Sequence, residues 1–192
     1  MLTLGGIVST GRPTAYATGA DFCRIFAQDM KGLYLLSFLL TGDRKKAEEC
    51  FASALEGSTK SNRIFKDWAR SWSRRAIFQN ATRMIRPTPD PRREKSALRT
   101  IDTAVKTKAT SGASLDAILS LGTFERFVFV MSILERYSDQ DCSVLLECSR
   151  RDVALAKMQA AEHIASFVNP TLPDAANALA AFARKIVLPA TA

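Results

Sequence analysis

The sequence predicts an all-α fold, laid out as two small helical domains joined by a basic linker. Three observations predict it. Apolar residues recur at i, i+3, i+4 spacing along most of the chain, and no stretch alternates with the period of two expected of a half-buried strand. Near the middle, the helical pattern gives way to a run rich in Pro, Arg, Lys, Thr and Ser. The 192 residues are enough for one good-sized domain or two small ones, and 47% hydrophobic with 24% charged side chains is the composition of a chain that buries a core. Those values exclude a wholly disordered chain, a collagen-like fibre and a disulfide-rich mini-protein. No apolar run reaches the roughly 18 residues of a membrane span, so no membrane segment is expected.

The first domain is expected over residues 20–86. The residues preceding it, rich in Gly and Thr, read as a flexible lead-in. From Asp21 to Leu40 the set Phe22, Ile25, Phe26, Met30, Leu33, Tyr34, Leu36 and Leu40 follows one helical face, with Asp21 as its N-cap. Thr41-Gly42-Asp43 breaks that pattern: Gly42 closes one helix and Asp43 caps the next. The second helix is expected to bury Ala47, Cys50, Phe51, Ala54 and Leu55 and to stop at Gly57. A third runs from about Asn62 to Ile85 on the stripe Phe65, Trp68, Trp72, Ala76, Ile77, Ala81 and Met84. Arg70, Arg74, Arg75 and Arg83 fall mostly on its other side, and Pro87, Pro89 and Pro91 end it.

Residues 87–114 read as a basic linker, partly helical through Leu98, Ile101 and Val105. The second domain, 115–169, opens with a short helix on Leu115, Ile118, Leu119 and Leu121. A helix from Thr123 follows, with Phe127, Val130, Met131, Leu134 and Tyr137 on one face. Ser138 to Asp141 and Ser149 to Asp152 are both Ser-x-x-Asp capping boxes. They open helices separated by a three-residue turn, which is helix-turn-helix spacing. A C-terminal helix is expected within 170–192 from Ala176, Leu179, Phe182 and Ile186.

Charge adds a functional hint. Lys and Arg total 27 against 19 Asp and Glu, a net +8. The excess is local: Lys60 to Lys108 holds fourteen basic and four acidic residues, a net +10 that leaves −2 for the rest. Such an excess attracts polyanions through Coulomb forces and counterion release. There is no secretory signal pattern, and the four cysteines (Cys23, Cys50, Cys142, Cys148) form no Cys-x-x-Cys pair and sit in apolar helical patterns. Free thiols in a reducing cytoplasm account for them. The single histidine, His163, has no ligand-spaced neighbour, and no nucleophile elbow, phosphate loop or dinucleotide fingerprint appears. No enzyme activity, metal, cofactor or small-molecule substrate is expected.

Two segments carry a resemblance. Leu33 to Arg44 followed by Ala47-Glu48-Glu49 resembles the start of the core-binding and promoter-melting domain (region two) of extracytoplasmic-function (ECF) sigma factors of bacterial RNA polymerase, and Phe65-x-x-Trp68 with Trp72 to Arg75, Asn80 and Arg83 resembles its DNA-facing helix. Leu134 to Asp139 and Leu145 to Val153 resemble the family's C-terminal helix-turn-helix (region four). The two matches fall in the family's order, about the family's distance apart. The resemblance implies a region-two-like three-helix bundle and a region-four-like helix-turn-helix. Its implied partners are RNA polymerase core, promoter DNA and an anti-sigma factor. It further implies core contacts at Asp43, Glu48 and Glu49. DNA contacts are implied at Trp68, Arg70, Trp72, Arg74, Arg75, Asn80 and Arg83 in the first domain. In the second they are implied at Ser149, Arg150, Arg151 and Lys157.

The chain departs from the family pattern at Ala52 and Ser53 on the docking helix, and at Ala154 and Ala156 where the recognition helix usually carries cations. Two other readings therefore stand beside a working sigma factor. One is a sigma-like protein that binds an anti-sigma factor and little or no promoter DNA; the other is a helix-turn-helix regulator that dimerises through its C-terminal helix.

Overall fold

A computed structural model of the protein describes residues 15–61, 63–89 and 112–168. The described residues are mostly helical and contain no strand, only an isolated antiparallel bridge between Tyr16 and Phe65. The fold is all-α, as expected. Most of the basic linker expected over 87–114, and the C-terminal helix expected in 170–192, lie outside the described residues.

The first helix, α1 (Gly19–Gln28), opens on Thr18 rather than Asp21. Thr18 Oγ1 accepts from the Asp21 backbone N–H at 3.3 Å, and Asp21 Oδ2 accepts from the Thr18 N–H at 2.9 Å, a reciprocal capping box. The run expected as one helix to Leu40 breaks at Asp29 (φ −107°, ψ 27°), after which α2 (Met30–Thr41) begins. Gly32 sits against this break: a Cβ there would lie 2.4 Å from Asp29 Oδ1, so a larger residue would make that carboxylate move. Gly42 then ends α2 at φ +69°, and Asp43 Oδ1 accepts from the Lys46 N–H at 2.9 Å to start α3 (Arg44–Thr59), both as expected. The expected stop at Gly57 fails, because the Lys60 N–H still reaches the Glu56 carbonyl at 3.2 Å.

Before α4, residues 64–66 are paired with residues 15–17 rather than helical. The Ala17 N–H donates to the Ile64 carbonyl at 2.6 Å and the Lys66 N–H to the Ala15 carbonyl at 3.0 Å. The expected third helix therefore begins later, as a 3-10 turn Lys66–Trp68 leading into α4 (Ala69–Ile85). In the second half, α5 (Gly112–Leu119) and α6 (Thr123–Phe129) precede a π-helical turn, Val130–Leu134, inside what the sequence predicts as one α-helix. Helices α7 (Asp139–Leu145) and α8 (Arg150–Val168) complete it. Ser149–Asp152 forms the full reciprocal box, with Asp152 N–H to Ser149 Oγ at 3.1 Å and Ser149 N–H to Asp152 Oδ2 at 3.0 Å, whereas Ser138 caps one way only, its Oγ accepting from the Asp141 N–H at 3.1 Å.

One cluster of buried side chains runs through both halves, from Phe26, Leu33, Leu40 and Phe78 to Phe127, Met131, Val153 and Ile164. The seam between halves is formed by α2 and α4 on one side and α6 with the π-turn on the other. Phe78 and Tyr137 meet edge to face there, centroids 5.2 Å apart. Arg126, almost wholly buried, donates to the Leu40 carbonyl at the end of α2 (3.4 Å) and to the Leu119 carbonyl at the end of α5 (3.3 Å). It caps two helix C-termini with a cation. A second, small cluster of Ala17, Phe22 and Ala69, packed by Ile25, Ile64 and Trp72, lies under the start of α4.

Candidate nucleic-acid interface

The extended segment before α4 carries aromatic rings outward. Phe65, expected in the apolar stripe of the third helix, is instead exposed, because residues 64–66 are bonded edge-on to residues 15–17 and not wound into the helix. Tyr16 stacks on Phe65 with centroids 4.9 Å apart, and Trp68 and Phe65 meet edge to face with centroids 5.4 Å apart. Trp68 is 64% exposed, so its indole offers a face to an unpaired base. Trp72 is half-buried against the small cluster and acts as packing. Cations edge this platform: Arg63, Lys66 and Arg70 are exposed, and none has an ion-pair partner among the described residues.

The four arginines of α4 do not share a face. At about 100° per residue, Arg74 stands ~40° round the helix from Arg70, Arg75 ~140° and Arg83 ~220°. Arg70 is exposed, two residues after Trp68. Arg74 turns into the seam: its Nε donates to Glu135 Oε2 at 2.6 Å, a second nitrogen bonds Glu135 Oε1, and a third reaches Asp29 Oδ2 at 3.1 Å. The hydrogen bond to Glu135 raises the Arg74 pKa, burial opposing it, so it remains a cation held by the protein's own carboxylates. Arg75 is half-buried near Tyr137, whose phenol is pushed above its ordinary pKa chiefly by burial.

Asn80, expected to face DNA, is buried. Its Nδ2 donates to the Ala76 carbonyl at 2.8 Å and its Oδ1 accepts from Arg83 at 2.6 Å, so its amide serves the helix and the arginine. Asn80 and Arg83 line an open groove of about 460 Å³ between α3 and α4, facing Glu49, Ser53 and Glu56. Glu48 and Glu49 are exposed on α3, while Asp43, also exposed, is committed to the α3 cap. The expected core-binding set thus splits into two open carboxylates and one capping residue.

In the second half, Arg150 and Arg151 are exposed at the start of α8. The Ser149 hydroxyl donates to Asp152 Oδ2 at 2.6 Å, and the Ser149 N–H donates to the same oxygen at 3.0 Å. The helix N-terminus, where a phosphate would be favoured, already holds a carboxylate. Lys157 bonds Asp139 Oδ1 at 2.9 Å and ties α8 to α7. Of the two departures in the recognition helix, Ala154 is exposed but Ala156 is a core residue packed with Val153 and Ala160, a position where a cation would be buried.

Sequence reasoning missed Tyr16 and misassigned Phe65. The signal available was local: Phe65 and Trp68 three apart beside Lys66, preceded by a tyrosine in a segment read as lead-in. It also missed Glu135 and Asp29 as partners of Arg74, since neither lies near it in sequence. No family model matches the chain, and no curated protein matches it.

Proposed function

We propose that this protein is a divergent ECF-type sigma factor, which recruits RNA polymerase core and engages promoter DNA without catalysis of its own. The observation that carries this reading is the exposed Tyr16–Phe65–Trp68 platform, edged by Arg63, Lys66 and Arg70. Stacked rings hold unpaired bases irrespective of sequence, and neighbouring cations neutralise the strand's phosphates. The open carboxylates Glu48 and Glu49 on α3 are the residues assigned to the polymerase core. The test is incubation of the full chain with purified bacterial core polymerase. Co-elution and transcription from genomic fragments are expected; a chain that never associates with core enzyme overturns the proposal.

A sigma-like interaction protein is the second reading, and α8 favours it. Asp152 sits at its N-terminus, Lys157 is paired, and the apolar Val144 and Met158 on α7 and α8 are exposed. Tight binding of an anti-sigma factor with no measurable DNA affinity would select it. A dimeric helix-turn-helix regulator is the third, and would be recognised by a dimer in solution on palindromic DNA.

A further inference from the structure

The structure assigns to the Arg74–Glu135–Asp29 cluster, with the Phe78–Tyr137 contact beside it, the role of a latch that closes the two halves on each other and withholds Arg74 from DNA. This inference rests on the proposed DNA-binding reading. Arg74 belongs to the helix that directly follows the platform and stands ~40° round it from Arg70, so on an isolated α4 the two would share a face. Instead its guanidinium crosses the seam. Two of its nitrogens bond Glu135, which directly follows the π-turn, and a third bonds Asp29 at the α1–α2 break.

The local geometry is built around these contacts. The π-turn ends with the Glu135 N–H on the Val130 carbonyl (3.0 Å) and the Tyr137 N–H on the Met131 carbonyl (2.9 Å). Arg136, between them, has φ +58°. The turn thus delivers Glu135 to Arg74 and Tyr137 to Phe78 together. Glycine at position 32 leaves the Asp29 carboxylate where it is, since a Cβ there would lie 2.4 Å from its Oδ1. An arginine answered by two carboxylates, one from each half, is neutralised in the closed form; when the halves part it loses Glu135 and keeps only Asp29, leaving its Glu135-facing nitrogens open. Opening therefore adds a phosphate contact beside the platform.

The experiment uses the full chain as wild type, Glu135→Gln, and Glu135→Gln combined with Tyr137→Ala; Glu162→Gln, an exposed site on α8, matches the charge change. Helicity by circular dichroism confirms that each variant is folded. Small-angle scattering and amide exchange in α4 and the π-turn read the opening. Binding of a 20-mer oligothymidylate across a salt series reads the cation. Expected are a larger radius and faster exchange in the latch variants, and a slope of log K against log salt steeper by up to about 0.7, the single-strand value for one phosphate, since Asp29 stays beside Arg74. Glu162→Gln should change neither. Unchanged scattering and slope in both latch variants, with wild-type binding intact, overturn the latch and leave the proposed function standing. Absence of oligonucleotide binding by every form, wild type included, overturns both.

Discussion

Arg74 and Glu135, sixty-one positions apart, are joined by a two-pronged guanidinium–carboxylate pair across the seam between the halves. The side chains are 31% and 14% exposed, between the surface regime, where ion pairs contribute about 0–1 kcal/mol, and the buried regime, where removing one partner costs about 3–5 kcal/mol. Arg74→Ala and Glu135→Ala should each destabilise by about 1–3 kcal/mol, with a coupling energy of at least ~1 kcal/mol in the double-mutant cycle. Urea titrations of the four proteins check it. Strict additivity would mean that the pair contributes nothing beyond its separate contacts.

Arg126 presents the opposite problem, a buried cation with no carboxylate beside it among the described residues. Burial lowers its pKa, and its Nε has no hydrogen-bond partner. Replacing such a group with an apolar side chain of similar volume is often neutral or stabilising, whereas truncation leaves a cavity. Arg126→Met should change stability by less than about 1 kcal/mol, and Arg126→Ala should cost about 2–4 kcal/mol. Thermal melts of the two variants distinguish them. Gly42→Ala should also cost ~1–2 kcal/mol, since φ is +69° and its Cβ would press on the Arg126 guanidinium at 3.2 Å.

These two arginines mark where the sequence stopped being legible. Capping is local, so Asp43, Ser138–Asp141 and Ser149–Asp152 were readable from three-residue spacing, and their side chains bond as that spacing requires. Helical periodicity is local too, which is why the all-α class was readable. The break at Asp29 was not, because the apolar pattern runs straight across it, and the Asp29 carboxylate is met there by Arg74 from another helix. Asn80 failed for a similar reason. A polar residue at a helical position reads as outward, and only packing between α3 and α4 buries it. Phe65 sits at helical spacing from Trp68, yet backbone bonds to residues 15–17 draw it out of the helix.

Stability should fall at alkaline pH. Burial pushes the Cys50 and Cys142 thiols up from 9.0 to about 11, and raises Tyr137 as well. Between pH 9 and 11 the unfolded chain loses these thiol protons while the folded chain keeps them. The unfolded state then binds fewer protons, so stability declines as pH rises through that window. Urea midpoints at pH 8, 9.5 and 10.5 should decrease in order, and Cys50→Ala with Cys142→Ala should flatten the trend. Exposed Cys23 should react with a thiol reagent before either buried cysteine.

Ser149 separates capping from DNA contact. Its hydroxyl bonds Asp152, so Ser149→Ala should cost about 1 kcal/mol of stability, the usual value for an N-cap. DNA affinity should change less than about twofold. A tenfold affinity loss at unchanged stability would mean that the hydroxyl leaves Asp152 for a phosphate.

The two tryptophans should part company under the same substitution. Trp68 is mostly exposed and meets Phe65 in a single edge-to-face contact, so Trp68→Ala should destabilise by less than about 1 kcal/mol. One stacked base lost corresponds to about 1–3 kcal/mol of binding, so affinity for single-stranded oligothymidylate should fall about tenfold or more. Trp72 packs on the cluster of Ala17, Phe22 and Ala69, and Trp72→Ala should cost about 2–3 kcal/mol of stability with little effect on binding by the folded fraction. Fluorescence adds an internal check: the Trp72→Phe protein keeps only the Trp68 indole, and its emission should be quenched on adding oligonucleotide. Emission from Trp68 that ignores saturating oligonucleotide, together with full affinity in Trp68→Ala, would remove the stacking platform from the nucleic-acid interface.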